Sequence, residues 1–559
     1  MTVYAIQPRS VRGESHRGLL AVATLACAVA LVPIIALALI AFSGSGEDWP
    51  HLARNVVPVA IRTTLLLIAL TSIGAAVVGV GAAWAVVAFE FPGRRFYSWA
   101  LVLPLAVPPY LAAYAFGEFF LFSGPVQTAL RGIFGFASAR DYWFPDIRTT
   151  EGAALVMTAV LYPYVYLTTR VVFLMQGRNI ADVARTLGAR PWRVFFTVLL
   201  PVARPAVVAG VALVLMETLN DIGAAEYLGV RTMTSAIFTT WINRSSLEGA
   251  AQIAMVMLLL VAILISVEQL ARRSRRFNNM RATQIATRPP RIALGGWRGT
   301  LVALLLALPV FLGLGVPLWV FGNYAAERFS SLMNAALVQA LGNTLLVGLL
   351  TATTTVLLAL LLVEAARRVR GPGASLLVRL ASLGYALPGT IVGLGLLFAL
   401  ANLDNALDAL MRSNFGVSTG LLLTGSAAAV VIACTIRFLA LAEGSIQSGL
   451  AKLPPNIDEA ARSLGRTAAA STLSVQLPLL KPAIFTASVL VFVDTVKELS
   501  ATILLRPFGF NTLATLVYEN ASRAVMQEGA LAALLIIATA TVPVILLSRA
   551  LASDRQADL

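Results

Sequence analysis

Acidic side chains inside long apolar stretches are the residues of this sequence best placed to do chemistry. Glu217 and Asp221, followed by Glu226, fall in one such stretch, and Asp494 and Glu498, with Lys497 between them, fall in another. A carboxylate in hydrocarbon is costly, so it marks an ion or substrate path unless a partner neutralises it. Spacing of four residues predicts that Glu217 shares a helix face with Asp221, and Asp494 with Glu498. Four hard oxygen donors on two related helices would suit a small, highly charged cation. The plainer alternative is structural: Lys497 neutralises Asp494 or Glu498, and Asn220 bonds backbone across a helix interface, with Glu118 a further acid of the same kind. His16 and His51 stand beside neither a Cys nor another His, and Cys27 and Cys434 lie inside apolar runs. Neither a metal-ligand spacing nor a disulfide framework is present. The phosphate-cradling pattern Gly, four residues, Gly-Lys-Ser/Thr is also missing, so nucleotide hydrolysis would belong to another polypeptide.

The elements that must hold these acids are membrane helices. The chain has 559 residues, of which 58% are hydrophobic and 12% charged, and its mean hydropathy is +0.83. A soluble chain carries about 25% charged residues. Apolar runs of about 20 residues, long enough to cross a bilayer core, recur from end to end. The pattern predicts an all-α polytopic membrane protein with twelve spans, at 19–42, 58–88, 98–122, 152–175, 204–226, 249–270, 300–321, 336–363, 376–400, 418–441, 482–505 and 529–549. Arg9, Arg12 and Arg17 precede the first run in the manner of a secretory signal. That run is longer than a signal's apolar core of about 7–15 residues, and reads as an uncleaved span.

A net charge of +15 raises the question of nucleic acid, but the basic residues sit in short loops between spans rather than on one soluble face. With the N-terminus inside, about 30 of the 42 Lys and Arg fall on the cytoplasmic side or its boundary, which sets the topology and places both termini in the cytoplasm. The most basic segment, 272–298, carries Arg272, Arg273, Arg275, Arg276, Arg281, Arg288, Arg291 and Arg298, and reads as a cytoplasmic linker between a first six-helix unit, 1–271, and a second, 299–559. The two units overlay at an almost constant shift: Thr64 meets Thr344, Pro108 meets Pro388, Gly188 meets Gly465, Pro201 meets Pro478 and Pro205 meets Pro482. The same shift pairs Glu217 with Asp494 and Asp221 with Glu498. An even number of spans per copy makes this a parallel repeat, with a pathway expected between the halves.

Two longer loops precede the fifth span of each unit. The first contains Asp182-Val183-Ala184, then Leu187-Gly188, and closes on Val198-Leu199-Leu200-Pro201. The second contains Glu459-Ala460-Ala461, then Leu464-Gly465, and closes on Val475-Gln476-Leu477-Pro478. Each should form a short helix that stops at the Gly and a second that starts at Pro191 or after Thr467 as cap, giving a helix-turn-helix knob. Ala184 with Leu187, and Ala461 with Leu464, are expected on its apolar face.

These loops resemble the EAA loops of binding-protein-dependent ABC importer permeases, matching their spacing twice. The first copy departs from the pattern at Asp182 and Val183. The resemblance implies a type I ABC importer permease fold and makes Asp182, Ala184, Leu187, Gly188, Glu459, Ala460, Ala461, Leu464 and Gly465 the contact to a cytoplasmic ATPase homodimer. ATP and Mg would be bound by that ATPase and no cofactor by this chain. A periplasmic substrate-binding protein and an inner-membrane location are implied with it. The run from Asp494 to Thr515, and the series Glu217-Thr218-Leu219, Asp221, Glu226-Tyr227, are similar to ferric iron permeases, which are commonly fused in this way. That implies Fe3+ as substrate and transient contact with Glu217, Asp221, Asp494 and Glu498. Fused permeases for thiamine and phosphonates share the architecture, and an ion-coupled secondary transporter is the rival that would leave the paired loops unexplained.

Overall fold

The computed structural model describes residues 17–43, 46–186, 191–273, 291–369, 372–454 and 456–553. Among them, ten helices are long and apolar enough to cross a membrane, and two bent helix pairs bring the total to twelve. Six come from the first copy: Arg17–Ser43, Trp49–Ala88, the pair Arg94–Ala106 and Pro109–Phe134, Thr150–Leu174, Trp192–Asn220 and Leu247–Glu268. The second copy supplies Gly296–Leu332, Ala335–Arg368, Gly389–Phe415, Ala428–Leu450, the pair Ala468–Leu479 and Lys481–Lys497, and Met526–Pro543. Leu39, Ile73, Val77, Leu259, Leu304 and Leu349 all lie exposed on these helices, the surface a bilayer would cover.

Proline explains where the helices break. The third span, expected to be continuous over 98–122, turns by 95° between Ala106 and Pro109. Val107 precedes a proline and is pushed to extended backbone (φ −93°, ψ 115°), as is Pro108 (φ −60°, ψ 145°), before Pro109 opens the next helix. Pro388, at φ −55° and ψ 140°, repeats this in the second copy, so the ninth span begins at Gly389 rather than at residue 376. Among the described residues four stretches are wound wider than an α-helix, Leu52–Val56, Phe195–Leu199, Phe311–Gly315 and Thr472–Gln476. Each lies just before a proline: Pro58, Pro201, Pro317 or Pro478. A proline has no amide to donate and its ring crowds the carbonyl one turn back, and the wider turn accommodates both.

The helices pack as two compact units. The larger contains residues 33–349, 386–434 and 492–559. Its core is built around the fully buried Tyr114, Phe116, Met157, Tyr162, Tyr166 and Phe321. Gly79 of the second span lies against the fourth, where a Cβ would stand 2.9 Å from both the Tyr162 carbonyl and the Tyr166 amide. Only a hydrogen there lets the two backbones approach, as at other small-residue crossings in membranes. In the same unit Phe89–Glu90 and Ile292–Ala293 form a two-residue parallel ladder, and Arg291 bridges Glu90 at 3.2 Å. The end of the basic linker is thereby tied to the loop after the second span, while its residues 274–290 lie outside the described residues. The smaller unit contains residues 1–32, 350–385 and 435–491, and it includes the second of the paired loops.

The aligned Thr64 and Thr344 have a structural use that the repeat alone did not reveal. Within the larger unit, Thr64 Oγ1 accepts from the Met233 amide at 2.9 Å, and Thr344 Oγ1 from the Leu513 amide at 2.8 Å. These amides open the helices Met233–Ile242 and Leu513–Ser522, whose caps are Thr232 and Thr512. Replacing Thr344 with Val keeps its shape and strands the buried Leu513 amide, at a cost of about 1–3 kcal/mol. Thermal unfolding in detergent should show a lower Tm for Thr344→Val, with Thr344→Ser close to the unmodified protein.

Candidate functional site

The acid-bearing helices do not run on as expected. The fifth-span helix ends at Asn220, and Asp221 is already extended (φ −78°, ψ 122°). The eleventh-span helix likewise ends at Lys497. Asp221 and Glu498 therefore do not share a helical face with Glu217 and Asp494, as their spacing suggested. Each folds over the turn that follows it. Asp221 Oδ1 accepts from the Ala224 amide at 2.7 Å, at the start of the short helix Gly223–Tyr227. Glu498 accepts from the Ala501 amide at 2.8 Å, from the Thr502 amide at 2.9 Å and from the Thr502 hydroxyl. A helix broken inside an apolar protein leaves amides that need an acceptor, and a carboxylate three residues upstream supplies one.

Asn220 and Ser500 join the two breaks. Asn220 Oδ1 accepts from the Gly389 amide at 2.6 Å, capping the ninth span, and the Asn220 carbonyl accepts from Ser500 Oγ at 2.8 Å. Lys497 Nζ pairs with Asp494 at 3.1 Å, so the ion-pair reading of this lysine holds, with Asp494 as its partner. Glu226 sits on the separate helix Gly223–Tyr227 and accepts from the Tyr518 hydroxyl at 2.7 Å. Glu118 accepts from Tyr324 at 2.7 Å. Tyr227 packs edge-on against Tyr114 with ring centroids 4.8 Å apart. Among the described residues no three His, Cys, Asp or Glu side chains gather into a group able to hold a metal ion, so Glu217, Asp221, Asp494 and Glu498 do not form a chelating set here. Sequence reasoning missed Tyr518, Tyr324 and Ser500, each of which meets its partner from a distant part of the chain.

The paired loops differ more than their motifs suggest. In the second copy the helix Ile457–Ser463 stops at Gly465, whose φ of +82° is the left-handed conformation expected of it. The Arg466 amide returns to the Ala461 carbonyl at 3.2 Å and the Gly465 amide to Arg462 at 3.0 Å, a double closure of the helix end. Thr467 then caps the next helix, accepting from the Ala470 amide at 3.2 Å. Glu459 and Ala460 are exposed. Ala461 and Leu464 do not share a face: Ala461 is 6% exposed and Leu464 83%. The helix has ended by Leu464, whose backbone no longer follows the helical register.

Among the described residues the first copy has no separate first helix. Asp182 and Ala184 lie on the helix Thr150–Thr186, a continuation of the fourth span, and the second helix restarts at Pro191 as expected. The second copy has Pro454-Pro455 after its fourth span and the first has Gly177-Arg178 at the matching place. A proline pair interrupts a helix and a Gly-Arg pair lets it continue. Leu187 and Gly188 lie outside the described residues.

Two copies of a six-helix membrane unit, each with a longer loop before its fifth span, define a duplicated permease. The chain belongs to the family described as binding-protein-dependent transport system inner membrane component, whose pattern matches residues 75–276 and again 356–556. It is 25% identical over 503 residues to an Fe(3+)-transport system permease protein of Haemophilus influenzae, covering 88% of this chain and 89% of that protein. It is also 31% identical over 206 residues to a sulfate transport system permease protein of Escherichia coli, covering 36% of this chain and 70% of the relative. A molybdenum transport system permease protein of the same species is 31% identical over 208 residues, covering 35% of this chain and 86% of the relative. The chain is thus an ABC importer permease of the inner membrane, and its relatives are permease subunits rather than enzymes.

The capping role of the two acids makes a comparative prediction. Glu498→Ala removes the acceptor of two amides and a hydroxyl, whereas Asp221→Ala removes the acceptor of the Ala224 amide. Thermal unfolding in detergent should therefore show a larger fall in Tm for Glu498→Ala than for Asp221→Ala; the reverse order would contradict the capping geometry.

Proposed function

We propose that this chain is the transmembrane subunit of an ATP-driven importer that moves ferric iron from a periplasmic binding protein to the cytoplasm. The observation that carries the substrate is the extent of the likeness to the Fe(3+)-transport permease, which runs through both halves as one fused chain. The sulfate and molybdenum relatives match a stretch only about as long as one half. Their names favour an oxyanion as the second reading. Against it, Glu217, Asp221, Glu226 and Glu498 put carboxylates at or near the helix breaks joined by Asn220 and Ser500, with Asp494 neutralised by Lys497, and carboxylates repel an oxyanion and attract a hard cation.

In this reading both termini are cytoplasmic and the two loops dock on two copies of a separate ATPase, which binds ATP and Mg. Closure of the ATPases pushes on the loops, and the helices that follow them switch the path between its inward-open and outward-open states. Glu459, Ala460 and the outward-facing Leu464 form the docking surface in the second copy, with Asp182, Ala184, Leu187 and Gly188 as counterparts in the first.

Uptake of radiolabelled ferric iron should be lost when the gene is deleted and restored when it is returned. Retained iron uptake with loss of sulfate, molybdate, thiamine or phosphonate uptake would reassign the substrate and leave the importer class standing. Coupling has its own check. Gly465→Val puts a β-branched residue at φ +82°, at a cost of about 1–2 kcal/mol. It is expected to break the link between binding-protein-stimulated ATP hydrolysis and uptake in proteoliposomes containing the whole complex.

A further inference from the structure

The loops that dock on the ATPases must also be held to the spans they move, and the two copies solve that problem with different chemistry. In the second copy the eighth span, Ala335–Arg368, ends in a polar grip within the smaller unit. Arg367 donates to Gln476 at 2.7 Å and reaches Asp458 at 3.4 Å. Asp458, on the first helix of the loop, also accepts from Ser471 at 2.7 Å and from Gln476 at 3.1 Å, both on the second. Arg368 pairs with Glu364 and donates at 2.8 Å to the Ala468 carbonyl and the Thr472 hydroxyl. Thr472 in turn donates to Glu364 at 2.7 Å. Ser471 and Gln476 are buried at 0% and 1% exposure, so the loop's inner surface is committed to this network.

The repeat shows what stands at these places in the first copy. The shift that pairs Thr64 with Thr344 pairs Trp84 with Glu364, Val87 with Arg367 and Ala88 with Arg368. The shift that pairs Gly188 with Gly465 pairs Phe195 with Thr472, Leu199 with Gln476 and Val194 with Ser471. Within the larger unit Trp84 packs on Phe195 at 4.5 Å and on Trp192 at 4.8 Å between ring centroids. A ring contact therefore occupies the place of the Glu364–Thr472 hydrogen bond, and no charged side chain stands at the four other matched positions, Val87, Ala88, Val194 and Leu199.

We propose that Glu364, Arg367 and Arg368 are positioning residues that transmit motion of the second loop to the eighth span, and that Trp84 with Phe195 does the same between the first loop and the second span. The proposal rests on the reading of the loops as ATPase-docking elements. Its physical content is that a polar grip has directional bonds that fail when one partner is removed, whereas the aromatic contact depends on buried area. Each loop carries its own linkage, so losing one grip leaves the other loop attached.

The test uses the complete importer, permease with its ATPase and binding protein, in proteoliposomes, and reads substrate transported per ATP hydrolysed. Arg367→Met should lower that ratio by about fivefold, the scale of coupling within one bonded network, with the ATPase still co-purifying. Arg367→Lys, which keeps the charge on Asp458 but loses the fork that also holds Gln476, should fall between Arg367→Met and the unmodified chain. Asp458→Asn combined with Arg367→Met should be no worse than Arg367→Met alone. Trp84→Leu should lower the ratio in the same way, and adding it to Arg367→Met should lower it further.

An unchanged ratio in Arg367→Met, with Gly465→Val still uncoupled, would overturn the grip and leave the docking reading intact. If Gly465→Val and Arg367→Met both leave the ratio unchanged, the docking reading itself fails. Should Arg367→Met not fold, Arg367→Lys against Asp458→Asn decides: equal loss in both supports the shared network, and full activity in both refutes it.

Discussion

Backbone amides and carbonyls in hydrocarbon have no water to fall back on, and this requirement governs the centre of the molecule. A straight helix meets it internally. A broken one does not, and this chain breaks helices at Ala106–Pro109, at Leu387–Pro388, after Asn220 and after Lys497. Side chains then stand in for the lost helical partners: Asp221 and Glu498 for the turns that follow them, Asn220 for the start of the ninth span, and Thr64 and Thr344 for the helices opening at Met233 and Leu513. The most conspicuous acids of the membrane region are thereby part of its architecture, whatever else passes near them.

A broken helix is also a useful one. Asn220 accepts from the ninth span and offers its carbonyl to Ser500, so the break in one copy is bonded directly to the break in the other. The helix breaks thereby place polar side chains and backbone groups, bonded to one another, in the middle of an apolar protein. Tyr518 on Glu226 and Tyr324 on Glu118 extend the same pattern, each hydroxyl of the second copy satisfying a carboxylate of the first.

Duplication preserved geometry more strictly than chemistry. The wide turns Phe195–Leu199 and Thr472–Gln476 fall at matching places, each before the proline that closes its loop motif. Around them the side chains have diverged, to rings in one copy and to ions and amides in the other. Pro454-Pro455 gives the second loop a separate first helix, whereas the first loop grows straight out of the fourth span. The halves share a framework whose loops are attached in unequal ways.

The number of spans, their approximate positions, the repeat and the end of the second loop helix at Gly465 were legible in the sequence, because each is a local property: the length of an apolar run, a shared spacing, or the tolerance of glycine for a left-handed turn. The spacing of Glu217 and Asp221 misled, since periodicity assumes a helix that continues and nothing local announced its end at Asn220. Arg367 and Arg368 counted only as topology signals, though Glu364 three and four residues before them hinted at a local pair. Their grip on Asp458, Gln476 and Thr472 joins residues about a hundred positions apart. The sequence by itself determined which segments are membrane helices and that they come in two copies, because hydrophobic length and repetition are written along the chain. Tertiary structure alone decided which carboxylates are caps, which are ion-paired and which loop is held by charge, because a buried polar group's role depends on the partner that packing brings to it.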